Sequence, residues 1–148
     1  MIGFPILTGA IFLGELLLKN YIESHLREGE TRKSKLGFLW IRKYHNAGAF
    51  LNFGEKKRPL VAAVSVFFTL CILILFIVTL GNKGNFLLKT GLSLLLGGAF
   101  SNTYDRLKRK YVVDYFSFRI KWKPLGRIIF NLSDFCIMIG ALITAFTL

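Results

Sequence analysis

Acidic residues are scarce in this chain: eight carboxylates stand against 20 lysines and arginines, for a formal charge of +12. Three of the eight are aspartates, and all three, Asp105, Asp114 and Asp134, fall within residues 97–134. Cysteine is nearly absent. Cys71 and Cys136 sit in apolar runs with no Cys or His at ligand spacing, so they read as buried thiols. His25 and His45 are equally isolated and no H-E-x-x-H occurs, so metal chemistry is not expected. Charge itself is missing from long stretches. A soluble nucleic-acid binder of this basicity would carry its cations on a polar exterior, and neither zinc-finger spacing nor an RNA-binding aromatic motif is present. The anionic partner expected is a lipid headgroup layer, and nucleic acid is not expected.

What is present is apolar: 53% of residues are hydrophobic and the mean hydropathy is +0.52. Residues 2–18 are broken only by Glu15 and, extended to about Tyr21, reach the length of a transmembrane helix. No Lys or Arg precedes this run and no small-x-small site follows, so a membrane helix is expected there rather than a cleaved signal peptide. Residues 60–80 carry no charge and as a helix would be about 31 Å long. After a turn at 81–85, residues 86 to about 104 form a third run, with Lys89 expected to snorkel to the interface. Gly91, Ser93, Gly97, Gly98 and Ser101 offer small surfaces to neighbouring helices. Residues 128–148 form a fourth run, interrupted near its start by Asn131 and Asp134. The expected fold is an α-helical integral membrane protein, one domain over residues 1–148, with four transmembrane helices and a small interfacial β-rich extramembrane region.

The remaining segments are basic and aromatic. In residues 20–58, Phe38-Leu39-Trp40-Ile41 lies among cations, a mixture suited to the headgroup region. Phe116, Phe118, Ile120 and Trp122 alternate with Ser117, Arg119, Lys121 and Lys123, the pattern of a strand with an apolar and a cationic face. By parity Asp114 joins the apolar set, which would bury its carboxylate and raise its pKa. An even number of crossings gathers the polar residues on one side. Glu15 and Lys19 are read as an i,i+4 ion pair at the interface, and Asp105 with Arg106 as a pair holding the end of the third helix. Asn102 shares that helix face, and Asn131 and Asp134 share the start of the fourth. Asp114 and Asp134 have no adjacent cation. Two carboxylates meeting in a partly dry site share a proton, so that one activates water while the other protonates the amide product or polarises the carbonyl.

These motifs resemble the lipoprotein signal peptidases, also called signal peptidase II. Asn46-Ala47-Gly48-Ala49-Phe50 is similar to the family's N-x-G-A-A/S-F segment. Gly97-Gly98-Ala99-Phe100-Ser101-Asn102-Thr103-Tyr104-Asp105-Arg106 resembles its G-G-x-x-x-N-x-x-D-R block. Val112-Val113-Asp114-Tyr115 resembles V-V-D-F/Y, and Phe130-Asn131-Leu132-Ser133-Asp134 resembles F-N-x-A-D. The resemblance implies an aspartic endopeptidase that removes signal peptides from bacterial prolipoproteins before a diacylglyceryl cysteine, with Asp114 and Asp134 as the catalytic dyad. It implies that Asn46, Gly48, Asn102, Asp105, Arg106, Asn131, Lys19 and Glu15 bind substrate or support the site. No metal or organic cofactor is implied. The basic first segment matches a region that cradles the lipidated substrate. This sequence departs from the pattern at Glu15, where aspartate is usual, at Ser133, where alanine is usual, and at Lys110, where glycine often precedes V-V-D.

Charge and resemblance disagree on orientation. Of the cations, 10 lie between Lys19 and Arg58 and 8 between Arg106 and Arg127. The positive-inside rule would place both segments in the cytoplasm. The family places them, and the active site, at the extracytoplasmic face of the bacterial cytoplasmic membrane, and that multi-pass arrangement is the one expected here. Two alternatives stay open at this stage: a non-catalytic homologue that binds lipidated peptides or a membrane partner, and an ion pathway built on intramembrane carboxylates. The oligomeric state is open, with a monomer as the working expectation.

Overall fold

The computed structural model describes residues 1–49, 53–122 and 126–148. Phe50 and Lys123, both named above, lie outside the described residues. In chain order the elements are helix α1 (Gly3–His25), strands β1 (Thr31–Lys33) and β2 (Leu39–Asn46), a 3-10 turn (Glu55–Lys57), helix α2 (Arg58–Gly81), helix α3 (Phe86–Lys108), strand β3 (Val112–Phe118) and helix α4 (Leu132–Thr147). The strands form one antiparallel sheet in the order β1-β2-β3, with a register shift between Ile41 and Tyr44. The fold is therefore mostly helical with a small sheet, as the apolar runs and the alternating segment foretold.

Helix α3 is central and packs against α1, α2 and α4. Helices α1 and α2 are each long and apolar enough to cross a bilayer by themselves. Helix α3 carries Lys89, Asp105, Arg106 and Lys108, and the 16 residues of α4 are about 24 Å long. Little of α2 is covered: Phe67, Ile74, Ile77 and Val78 are more than half exposed on its length. In water this would be an untenable apolar patch, whereas against lipid it carries no penalty. Because lipid is as apolar as leucine, helices in it associate through close packing. A Cβ at Gly98 would lie 2.6 Å from the Ser133 carbonyl oxygen, and one at Gly140 only 2.5 Å from Leu95 N, so these positions let α3 and α4 touch backbone to backbone.

The two ends of the helix bundle differ. At one end Lys89 is 2% exposed, and its ammonium donates to the Asn82 carbonyl at 2.6 Å. It closes the C-terminus of α2 rather than snorkelling outward, because a cation is favoured at a helix C-terminus, where carbonyls lack partners. At the other end the sheet covers α1, with Val113 and Tyr115 of β3 packed on Ile22 and Leu26.

Three local expectations are corrected. Strand β3 stops at Phe118, leaving Ile120 and Trp122 outside it, and Ser117 is fully buried while Phe116 and Phe118 are only half-buried. The face read as cationic is thus the inner one within the strand, because β3 is covered on both sides. Helix α4 starts at Leu132 and not at 128, since the backbone of Phe130 pairs with Phe116 as an extended bridge. Finally, Cys71 is exposed and Cys136 only half-buried, so neither is the buried thiol expected, because both lie on helix faces that the bundle leaves uncovered. Lys110, by contrast, occupies the left-handed region at φ 70°, just past the end of α3. This is a conformation that glycine adopts at least cost.

Candidate active site

Strand β3 carries Asp114 inward between the buried Val113 and Tyr115, leaving its carboxylate 3% exposed. Neutral amides meet it on both oxygens: Asn46 Nδ2 donates at 3.1 Å and Asn131 Nδ2 at 2.7 Å. Burial, followed by the negative charge of Asp134, pushes its pKa up to about 7. The two amide bonds and the more distant Lys19 charge oppose that rise without cancelling it.

Asp134 stands in the first turn of α4, where a helix needs partners for its free amides. Asn131 caps the helix: its Oδ1 accepts from Asp134 N at 3.0 Å, while Asp134 Oδ2 accepts from Asn131 N at 3.0 Å. The other Asp134 oxygen accepts from Asn102 Nδ2 at 3.1 Å. Asn131 therefore touches both carboxylates, one through its side chain and one through its backbone.

Behind this pair lies a charged layer. Lys19 is fully buried, and its ammonium donates to Ser101 Oγ at 2.8 Å and Asn102 Oδ1 at 2.9 Å, with Asp105 at 3.1 Å. Its i,i+4 partner Glu15 is farther, at 3.7 Å, and also buried, so the interfacial pair expected from spacing is instead an internal one. Asp105 does not pair with Arg106. It faces Lys19 and Arg109, the latter at 3.0 Å, and accepts from Val113 N at 3.2 Å. Adjacent residues on a helix point in different directions, so Arg106 turns the other way. Its guanidinium donates to the Gly48 carbonyl at 3.2 Å, and Gly48 N donates to Asn46 Oδ1 at 3.1 Å. The Asn46-Ala47-Gly48 segment is thereby held over the site.

Asp114 and Asp134 line one cavity of about 610 Å³ together with Asn46, Asn102 and Arg106. Its remaining wall is largely apolar and includes Val64, Phe68 and Ile72 of α2, Leu95 of α3, and Ile137 and Met138 of α4. Among the described residues, no group of three or more His, Cys, Asp or Glu is arranged to hold a metal ion. The arrangement offers two carboxylates, amide donors and the Arg106 guanidinium at the head of an apolar groove, with Arg127 also on its lining.

All ten residues singled out from sequence meet here: seven around the pair and cavity, and Glu15, Lys19 and Asp105 in the layer behind. Sequence reasoning missed Ser101, Arg109 and Tyr115. Ser101 lies one residue before Asn102, but nothing in its spacing says that a lysine from α1 reaches it. Tyr115 had a signal in its place beside Asp114.

With this geometry in hand, comparison with known proteins is decisive. The family described as signal peptidase (SPase) II matches residues 7–148. The chain belongs to that family. Its relatives include the lipoprotein signal peptidase of Moorella thermoacetica, 30% identical over 145 residues, covering 98% of this chain and 91% of the relative. The lipoprotein signal peptidase of Lactiplantibacillus plantarum is 29% identical over 139 residues, covering 94% and 89%. The fold matches a solved structure of a bacterial membrane enzyme with a TM-score of 0.82 at 22% identity, over 99% of this chain and 87% of that one. Within the signal peptidase II family this chain thus matches these relatives over nearly its full length.

Proposed function

We propose that this chain is an aspartic endopeptidase of the bacterial cytoplasmic membrane. It removes signal peptides from diacylglyceryl-modified prolipoproteins before the lipidated cysteine, with Asp114 and Asp134 as the catalytic dyad. The observation that carries this reading is that both carboxylates open on one apolar-walled cavity and are touched by amides rather than by cations. Cations in contact would hold both as ions. Amides let the pair keep one proton near neutral pH, with Asp114 retaining it up to about pH 7.

The chemistry then follows. The ionised member of the pair takes a proton from a water molecule as its oxygen attacks the scissile carbonyl carbon. The protonated member donates to the carbonyl oxygen. As the C–N bond breaks, a carboxyl proton passes to the leaving amine. Asn131 contacts both carboxylates and holds their relative orientation, Asn102 and Asn46 each fix one, and Arg106 holds the Gly48 segment at the cavity rim. The apolar groove between α2, α3 and α4 suits acyl chains or the hydrophobic stretch of a signal peptide.

In this reading all four helices cross the membrane, and residues 1–148 form one membrane-embedded domain. The sheet lies at the extracytoplasmic surface, with a monomer sufficient for activity. Lys33 and Arg119 flank Trp40 there, within 5.9 Å and 5.7 Å of its ring, a combination suited to anionic headgroups. The test is a gel-shift assay of purified protein with a diacylglyceryl-modified prolipoprotein. The expected product is a shortened lipoprotein beginning at the lipidated cysteine, absent with Asp134→Asn. Binding without cleavage by the wild-type protein would instead favour a non-catalytic homologue.

A further inference from the structure

The geometry points to Glu15 as a positioning residue for the carboxylate pair: its one buried carboxylate ties together the chain neighbours of Asp114 and Asp134, and so sets the spacing between them. This rests on the reading of Asp114 and Asp134 as the hydrolytic dyad.

One Glu15 oxygen accepts from the hydroxyl of Tyr115, the residue after Asp114. The other accepts from Ser133 N at 3.1 Å and Ser133 Oγ at 2.7 Å, and Ser133 immediately precedes Asp134. The Tyr115 hydroxyl also accepts from Leu132 N at 2.9 Å, which closes a ring of contacts around the start of α4. The amides of Leu132 and Ser133 are two of the free donors every helix start exposes. Here they are satisfied by side chains from β3 and α1, so the first turn of α4 is registered on the strand that carries Asp114. Burial, with the Glu15 charge as the next cause, raises the Tyr115 pKa well above its ordinary value, which keeps the phenol a donor. Glu15 itself is 1% exposed, with Lys19 at 3.7 Å balancing its charge. Asn131 and Asn102 orient the carboxylates directly, whereas Glu15 touches neither and acts through the backbone beside each.

The test is steady-state cleavage of a diacylglyceryl prolipopeptide by Tyr115→Phe, Ser133→Ala and the double variant, with rates expressed per folded molecule. Each single change removes one hydroxyl. Displacing one member of the pair lowers kcat about tenfold or more while KM stays within about twofold. Because both arms converge on one carboxylate, the double variant falls within about threefold of the worse single variant rather than at the product of the two losses. Glu15→Asp, which keeps the charge but shortens the reach by about 1.5 Å, also lowers kcat. Should Tyr115→Phe fail to accumulate, Ser133→Ala decides, since it retains the Ser133 amide bond. Wild-type kcat per folded molecule in the single variants, a change confined to KM, or fully multiplicative losses would each overturn the inference. Normal cleavage by Asp114→Asn would refute the dyad itself, a different failure.

Discussion

Two groups of carboxylates, all buried except the half-buried Asp134, sit side by side in this protein and are treated in opposite ways. Around Lys19, the acids Glu15 and Asp105 are matched by Lys19 and Arg109 at 3.0–3.7 Å. Around the cavity, Asp114 and Asp134 contact amides, and an ammonium reaches Asp134 only through Asn102. Under the proposed mechanism the same side chain is a structural ion in one place and a proton carrier in the other. What differs is whether a cation or an amide completes its hydrogen bonds. Lys19 ties Glu15 and Asp105, and so α1 to α3, by matched charge, whereas the proposed dyad, met by amides, would keep a proton available for chemistry.

The comparison breaks most visibly at the dyad. Asp134→Asn should lower cleavage by about a thousandfold or more while the protein remains folded, measured by gel shift alongside thermal unfolding in detergent. Lys19→Met attacks the other group. It leaves two buried acids short of a cation and should destabilise the fold by about 3–5 kcal/mol, read from the same unfolding curves.

Much of this was legible before any coordinates. The apolar runs give α1, α2 and most of α3, because nothing but a long helix satisfies the backbone of such a segment in lipid. Asp114 is buried as expected, but not by parity, since residues of both faces of β3 are buried. What could not be read were contacts made by residues far apart in sequence. Asp105 was matched with its neighbour Arg106, yet its partners are Lys19, 86 positions away, and Arg109, one helical turn on. The start of α4 was misplaced for a related reason. Residues 128–130 are apolar enough for a helix, but the bridge between Phe130 and Phe116 and the Asn131 cap set the boundary at Leu132.

Smaller tests sharpen the contrast. The cleavage rate should fall as pH rises above about 7, because the proton held by Asp114 is then lost. The stability effect of the same group has a definite sign. Its pKa is raised in the fold, so the unfolded chain gives up the proton first, and the Asp114 contribution to stability is lost as pH rises from about 4 to about 7. Thermal unfolding of wild type and Asp114→Asn across that range measures it. The smallest effect is expected at a residue whose side chain belongs to neither group: Lys110→Gly relieves a left-handed residue at φ 70° and should stabilise by about 1 kcal/mol without changing kcat.

The most direct measurement sets one acid from each group against the other, with Asp105→Asn and Asp114→Asn assayed for both folded yield and cleavage per folded molecule. The account predicts a double dissociation. Asp105→Asn loses folded protein but what folds still cleaves, whereas Asp114→Asn folds at wild-type yield and does not cleave. Cleavage by folded Asp114→Asn, or an inactive but fully stable Asp105→Asn, would contradict it.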